Sequence, residues 1–225
     1  MLIVHRSPAG RLCGVFRHAG HYNKGMTIIF YKEGEQRTMQ HQVTEHWNEA
    51  MWQQAEPIYE EAFPEHGRKT KTIIMRMFER GLCALHVWSE GQTAAAMALT
   101  GTDAKENLLV IDYIAVRGSS RGQGAGLACL RDLHEWAGRR GFRGIVIEAE
   151  ADPSEENAGR IAFWKKAGFT PTAYVHSYIW VPETYRAMYL SLDPEHPVES
   201  HDGGEELFQS ILRFHEKAYR RPSKS

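Results

Sequence analysis

The chain lacks the cysteine pattern of a disulfide-rich or zinc-binding protein. It has three cysteines in 225 residues, Cys13, Cys83 and Cys129, and none belongs to a Cys-x-x-Cys pair. This odd, widely spaced set supports neither a disulfide framework nor a thiolate zinc site. His18 and His21 have loose metal-like spacing, but no carboxylate or cysteine completes a ligand set. We therefore expect no metal cofactor.

Long apolar runs and net charge are lacking as well. No apolar run approaches the roughly 18 residues that a membrane-spanning helix needs. Leu2-Ile3-Val4 is far shorter than the hydrophobic region of a signal peptide, which has about 7–15 residues. The formal net charge is -1, so no global field favours nucleic acid or an anionic membrane. We expect a cytoplasmic protein with no nucleic-acid partner and no membrane partner.

Hydrophobic periodicity predicts an α/β domain over residues 43–192. Apolar residues recur at helical spacing from Trp47 to Ala62, and Pro57 is predicted to divide this run into two helices. Another helix is predicted over 70–80. Three strands follow, over 82–89, 93–100 and 108–116. Next come a helix over 124–138, a strand over 144–150 and a helix over 155–167. Two strands, over 174–181 and 186–192, complete the domain. This order implies a mixed sheet with helices on both faces.

The two ends of the chain have weaker patterns. Residues 1–42 show no clear period and are interpreted as an N-terminal extension. Residues 193–203 are polar and contain two prolines, which is typical of a linker. Apolar residues from Leu207 to Phe214 then predict an amphipathic helix. We therefore divide the chain into an extension (1–42), a main domain (43–192), and a linker with a C-terminal helix (193–225).

A glycine-rich loop, Arg-Gly-Gln-Gly-Ala-Gly at 121–126, joins the strand predicted at 108–116 to the following helix. Glycines let a bulky anion approach the main chain, and a helix N-terminus favours negative charge. A dinucleotide fingerprint would need glycine where Leu127 stands, and a P-loop would need Gly-Lys-Ser/Thr. The pattern [RQ]xxGx[GA] is matched in full by Arg121, Gly124 and Gly126. The loop therefore predicts a pyrophosphate site.

At these residues the chain resembles the GNAT acetyltransferases, which transfer an acetyl group from acetyl-CoA to an amine. A second family segment, N…(aromatic)xxxGF, is matched by Asn157, Trp164, Gly168 and Phe169. The resemblance covers roughly residues 43–192. It is greatest to uncharacterised bacterial members that share three further features: Phe63-Pro64-Glu65, the paired Glu148 and Glu150, and Arg160-Ile161.

The resemblance implies the GNAT fold, a mixed and mostly antiparallel central sheet with splayed central strands and helices on both faces. It also implies acetyl-CoA as co-substrate. By the resemblance, the pantetheine arm is held by Ile114, Ala115 and Val116. The pyrophosphate is held by Arg121, Gly122, Gln123, Gly124, Ala125 and Gly126. Further cofactor contacts come from Asn157 and Trp164.

Three carboxylates are candidates for the catalytic base. An alkyl amine with a pKa of about 10.4 is almost wholly protonated at pH 7, so a carboxylate must remove its proton. Glu148 ranks first, because its position resembles that of the base in the ribosomal-protein N-terminal acetyltransferases. Asp112 ranks second, because strand alternation is expected to place it on the same face as Ile114 and Val116. Glu150 ranks third.

The acid that protonates the departing thiolate is less well defined. Trp164 stands where many family members have a tyrosine, and an indole N–H cannot serve as a general acid. Tyr178 and Tyr174 are candidates to replace it. Both lie in an aromatic segment, 174–185, that we expect to wall the acceptor pocket together with the helices near Phe63.

We therefore expect an N-acetyltransferase in which a primary amine attacks acetyl-CoA directly in a ternary complex. A small-molecule amine and a protein N-terminus both stay open as acceptors. A homodimer is also open, since dimers are common in this superfamily. The alternative is a non-catalytic acyl-CoA-binding or sensing module, suggested by Trp164. A nucleotide-binding module is a weaker third option.

Overall fold

An eight-stranded sheet organises the part of the chain that the computed structural model describes, residues 39–179 and 181–220. Its strands are β1 (Gln40–Thr44), β2 (Cys83–Glu90), β3 (Thr93–Asp103), β4 (Leu108–Val116), β5 (Gly144–Glu150), β6 (Thr170–Pro171), β7 (His176–Ser177) and β8 (Thr184–Ser191). The helices are α1 (Glu49–Ala62), α2 (Lys71–Glu79), α3 (Ala125–Arg139), α4 (Glu155–Lys166) and α5 (Glu205–Tyr219). The strand order is β1-β2-β3-β4-β5-β8-β6, with β7 also paired to β8. Only β4 and β5 pair in parallel within the described sheet, which confirms the predicted mixed, mostly antiparallel arrangement.

Helices cover both faces of the sheet and create two hydrophobic cores. Val110 and Tyr113 of β4 belong to the core formed with α1, α2 and α5. Ile111 and Ile114 belong to the core formed with α3 and α4. We call these the α5 face and the α3 face. Because α3 begins just after β4, the glycine loop lies next to the end of a central strand.

The two central strands separate partway along their length. The parallel pairing of β4 with β5 runs from Leu108 and Gly144 to Ile111 and Ile147 and then stops. Beyond this point β4 continues to Val116 along β3, and β5 continues along β8. Each strand therefore leaves one edge without a β-partner, and a gap opens between them. We call this gap the splay.

The prediction that Pro57 divides the first helical run was wrong. Asn48 caps α1 by accepting a hydrogen bond from the Met51 N–H at 3.1 Å, and α1 then continues unbroken through Pro57. Gln53, one turn before Pro57, is exposed. The Gln53 carbonyl that would have accepted the missing N–H can therefore bond to water, which reduces the cost of the proline.

The strand predicted over 174–181 is reduced to the two-residue β7. The Tyr174 N–H donates to the Gly203 carbonyl at 2.8 Å instead of to a neighbouring strand. The rings of Tyr174, His176 and Tyr178 pack around Phe208 of α5, with the His176 and Phe208 centroids 4.5 Å apart. Aromatic packing against α5 therefore replaces most of the predicted ladder.

The predicted C-terminal amphipathic helix is confirmed as α5. Its apolar residues join the α5-face core, and Arg213 donates to the buried Asp103 at 2.6 Å. The Arg80 guanidinium donates to the Lys217 carbonyl at 2.6 Å, near the end of the helix. Among the described residues the sheet begins at Gln40, three residues before the start of the main domain as we divided it. Residues 1–38, which hold most of the interpreted extension, lie outside the described residues.

Replacing Gly101 by alanine should loosen α5. A Cβ at Gly101 would lie 2.0 Å from the Phe214 ring, so helix or strand would have to shift. Overpacking of this kind costs about 1–3 kcal/mol. Urea denaturation should report that loss in Gly101→Ala. Gly159→Ala is the control, because its Cβ would meet nothing within 4 Å on α4. Equal free energies of unfolding for Gly101→Ala and the wild type would contradict the expectation.

Candidate active site

The glycine loop has the backbone conformation of an anion-binding turn. Gly122 and Gly124 have φ angles of 75° and 80°, a left-handed conformation that residues with a side chain rarely adopt. Gly124 is also the N-cap of α3. The N–H groups of Ala125, Gly126 and the next residue begin the helix and have no acceptor within it. Together these features suit a pyrophosphate at the start of α3.

Side-chain contacts hold this loop against the end of β4. Arg121 Nε donates to the Val116 carbonyl at 2.8 Å. Glu61 of α1 accepts from the Gly118 N–H at 2.8 Å, and its carboxylate lies 3.4 Å from the Arg121 guanidinium. Arg121 therefore shapes the loop through contacts within the chain. Glu61 was not predicted from the sequence, because it is distant along the chain from the loop.

Two of the three predicted pantetheine-binding residues direct backbone groups into the splay. The Arg117 N–H donates to the Ala95 carbonyl at 2.8 Å, so in an antiparallel ladder Ala115 also bonds to β3. The peptide groups of Ile114 and Val116 then point away from β3 and toward the open gap. The Val116 carbonyl is taken by Arg121, which leaves the Val116 N–H and both groups of Ile114 facing the splay.

Alanine in place of Gly124 is expected to weaken acetyl-CoA binding about tenfold, because left-handed backbone costs a residue with a Cβ about 1–2 kcal/mol. The strained loop should move, and its N–H groups would then lose their direction. Isothermal calorimetry measures the affinity. Gly138→Ala on the same helix is the control, since its Cβ meets nothing within 4 Å. Unchanged affinity in a folded Gly124→Ala protein would show that the loop does not bind the cofactor.

A cavity of about 710 Å³ opens on the α5 face beside the splay. Its floor is formed by β4 and by Glu148 of β5. Its walls come from the loop after α1, from α5, and from the aromatic segment around β7. The glycine loop begins a helix of the opposite face. The splay is therefore approached by the loop from one side and by the cavity from the other.

Glu148 lies where the central strands have just separated. Its neighbour Ile147 makes the last pairing with β4, and the Glu148 side chain is partly buried. The Oε1 atom is buried and has no well-formed hydrogen bond from the described residues, although the Tyr178 hydroxyl lies close enough to interact with the carboxylate. A buried carboxylate oxygen without a hydrogen bond is unfavourable unless a ligand satisfies it. Glu148 is thus positioned to accept a hydrogen bond from a molecule in the cavity.

Tyr178 lines the same cavity. Burial and then the nearby charge of Glu148 raise the pKa of its hydroxyl far above the ordinary value. The neutral phenol is therefore strongly favoured. A phenol with a raised pKa is a weak proton donor to a thiolate, since the pKa of an unperturbed thiol is only about 8.5. Tyr174 instead packs near α5, where its hydroxyl bonds to His176 at 3.1 Å.

The predicted orientation of Asp112 was wrong. The pairing of β3 with β4 slips between Leu99 and Thr100, so Asp112 is the extra residue of a β-bulge. The bulge resets the strand alternation, and Ile114 and Val116 face α3 while Asp112 faces the α5 side. Asp112 therefore lies in the cavity wall, on the opposite face from the one expected.

Asp112 forms a buried ion pair that the sequence did not predict. Its carboxylate lies 2.8 Å from Lys69 Nζ, and the two side chains are 3% and 2% exposed. His215 of α5 approaches the same oxygen at 3.3 Å. Burial would raise the pKa of Asp112, but Lys69 and His215 outweigh it and lower that pKa to about 2. A carboxylate held so strongly ionised has little driving force to accept a proton.

The residues of the second family segment lie in α4 or directly after it. Trp164 is 2% exposed and packs edge-on against Phe169 in the α3-face core. The Asn157 amide donates to the Asp152 carbonyl at 3.0 Å and accepts from Arg160 at 2.8 Å. Arg160 also pairs with Glu150 at 2.6 Å. The third-ranked base is therefore tied to an arginine, and a cofactor role for Trp164 and Asn157 stays a prediction.

Splayed central strands, a glycine loop that opens a helix, and a cavity beside the splay are the features expected of an acyl-CoA-dependent acyltransferase. Residues 46–169, more than half of the chain, match the model of the acetyltransferase (GNAT) family. The chain belongs to this family, as the resemblance of its motifs indicated. It is therefore an acyltransferase that uses acetyl-CoA as the acyl donor.

Solved structures show the same fold at low sequence identity. The ribosomal-protein-S18-alanine N-acetyltransferase from Escherichia coli is 21% identical, with a TM-score of 0.54 over 72% of this chain and 98% of its own. A Bacillus subtilis acetyltransferase in complex with CoA is 18% identical, with a TM-score of 0.51 over 69% of this chain and 100% of its own. A comparison with curated proteins gave no match.

The described residues contain neither a candidate metal site nor a helix that could span a membrane. No group of three or more histidine, cysteine, aspartate or glutamate side chains there could hold a metal ion. No helix in those ranges is long and apolar enough to cross a membrane.

Proposed function

We propose that the protein acetylates a primary amine by direct attack in a ternary complex. Acetyl-CoA would enter from the α3 face and the acceptor from the α5 face, so that the two meet at the splay. The observation that carries this proposal is the buried, unsatisfied Oε1 of Glu148 in the cavity. An ammonium or amine N–H is the partner that such an oxygen lacks.

The residues around the splay fit acetyl-CoA, which supplies the activated acetyl group. Positive φ angles at Gly122 and Gly124 expose backbone N–H groups that would hold the pyrophosphate. The free peptide groups of Ile114 would pair with the pantetheine amides, as in strand addition. The Val116 N–H would polarise the thioester carbonyl. The remaining residues of the loop would line the same path.

Glu148 would remove the proton that keeps the acceptor amine unreactive. At pH 7 protonation opposes attack by roughly 4–5 kcal/mol for an amine with a pKa of about 10.4. Tyr178 would donate a hydrogen bond to the carboxylate or the acceptor and orient them, since its raised pKa keeps it neutral. We propose that the departing thiolate takes its proton from solvent, because Trp164 cannot ionise.

The test is a thiol-release assay with acetyl-CoA and a panel of primary amines, combined with calorimetry of acetyl-CoA binding. Amine-dependent thiol release, with a mass gain of about 42 Da on the acceptor, supports the proposal. Cofactor binding without turnover on any amine would favour the sensing module that Trp164 suggests. Absence of binding at millimolar acetyl-CoA would overturn the assignment of the cofactor site.

A further inference from the structure

The acceptor cavity holds more negative charge than acetylation requires. Besides Glu148 it is lined by Glu183, just before β8, and by Glu216 of α5. Neither of these two carboxylates has a lysine or arginine within ion-pair distance among the described residues. The buried lysine of the cavity, Lys69, is already neutralised by Asp112 at 2.8 Å. The cavity therefore has two carboxylates besides the proposed base that form no direct ion pair, although Glu216 also interacts over a longer distance with Arg213.

Aromatic rings accompany these carboxylates. Tyr185 lies in the cavity, and burial followed by the charges of Glu148 and Glu183 raises the pKa of its hydroxyl. Tyr219 follows Glu216 by one helical turn on α5, but its ring already carries the Lys69 ammonium, with Nζ 5.2 Å from the ring centroid. A carboxylate beside an aromatic face is a combination that binds organic cations.

Apolar side chains line the same cavity. Val110, Val181, Ile211 and Leu212 line the cavity. At about 710 Å³ the cavity lies within the range of sites for drug-sized ligands. A methylene chain lying across these residues would be removed from water, while its ends reached the carboxylates.

From this arrangement we infer that the acceptor carries a second cationic group, joined to the reacting amine by an apolar spacer. The inference rests on the proposed function, since it takes Glu148 as the place of the reacting amine. Glu183 and Glu216 bind the second cation, and Tyr185 contributes its ring face. The acceptor class is therefore a diamine rather than a monoamine or an amino acid.

Three histidines also line the cavity: His66, His176 and His215. Each would add positive charge when protonated and would oppose a dication. The experiment is therefore run at about pH 8.5, where free imidazole is neutral and an alkyl diamine still carries two charges.

The test compares acceptors that have the same spacer and a different second group. The probes are 1,5-diaminopentane, 5-amino-1-pentanol and 5-aminopentanoate, with a positive, a neutral and a negative end. We expect kcat/KM for the diamine to exceed that for the amino alcohol at least tenfold, with aminopentanoate lowest. Raising the ionic strength should reduce the ratio, because charge attraction is screened by salt.

Substitutions of Glu183 and Glu216 test whether these two carboxylates cause the preference for the diamine. Glu183→Gln and Glu216→Gln should each lower the ratio of diamine to amino alcohol about threefold, and the double variant should bring it close to unity. The control is Glu135→Gln, whose carboxylate is 60% exposed on α3. This control should leave the ratio unchanged.

Calorimetry of the same probes in the presence of CoA separates this inference from the proposed function. Equal turnover of diamine and amino alcohol, or a preference for aminopentanoate, overturns the inference and leaves the function supported. Selective binding of the diamine without turnover supports the inference and contradicts the function. If the probes neither bind nor react, both are overturned.

Discussion

Replacing Glu148 by glutamine is expected to lower kcat about 10²- to 10⁴-fold, the contribution of a positioned general base. Glutamine fills the same volume at the splay but cannot take a proton from the acceptor amine. Steady-state kinetics from about pH 6 to 9.5 measure the effect. The loss should become smaller toward high pH, because a larger share of the amine is then already deprotonated.

Measuring acetyl-CoA affinity distinguishes a chemical role of Glu148 from a structural one. Acetyl-CoA affinity should stay unchanged in Glu148→Gln, since the glycine loop lies on the other face of the sheet. Glu135→Gln removes an exposed carboxylate on α3 and should leave the kinetics as in the wild type. A Glu148→Gln protein that keeps kcat within threefold of the wild type would show that another group, or water, removes the proton.

The second large effect is expected on stability. Asp112→Ala leaves the Lys69 ammonium without its partner at 2.8 Å in a site where that side chain is 2% exposed. Breaking a buried ion pair from one side costs about 3–5 kcal/mol. Urea denaturation should show this loss in the free energy of unfolding. Replacing both partners by apolar residues, Lys69→Met with Asp112→Leu, should recover most of it.

The same ion pair makes an acid-dependent contribution. The pKa of Asp112 is about 2 in the folded protein, below the ordinary aspartate value of 3.8. The unfolded chain then binds the proton more tightly, so the stabilisation is complete above about pH 4 and is lost as the pH falls toward 2. This shift corresponds to about 2 kcal/mol. Between about pH 4 and 2, the free energy of unfolding should fall less steeply in Asp112→Ala than in the wild type. If the two proteins gave parallel curves of unfolding free energy against pH, the lowered pKa of Asp112 would be contradicted.

Much of the fold was predictable because local patterns decided it. The strands at 108–116 and 144–150 have the predicted limits, since both are buried and are bounded by glycine or polar residues. The left-handed φ of Gly124 explains the first glycine of the loop motif. The second, Gly126, has little room for a side chain, because a Cβ there would lie 3.1 Å from the Phe163 ring. Pro57 was misjudged, because the exposed face of α1 tolerates a missing hydrogen bond. That tolerance depends on tertiary structure, which periodicity does not contain.

The site was predicted only in part. Glu148 was chosen through the family resemblance, and it lines the cavity, while its role as base stays a prediction. The face of Asp112 depends on a one-residue bulge against β3, which no pattern within β4 reveals. Lys69, Glu183 and Glu216 reach the cavity from three separate parts of the chain. Long-range packing brings them together, and a single sequence carries little signal for it.

The position of α5 in the chain has a consequence for how the protein folds during synthesis. This helix begins at Glu205, yet it supplies one wall of the cavity beside the splay and rests on β3 through Phe214 and Gly101. The splay, the glycine loop and the α3-face core are all nearly complete by Ser191, the last residue of β8. During translation, where upstream segments emerge from the ribosome first, the splay and the glycine loop are synthesised before the helix that completes the cavity.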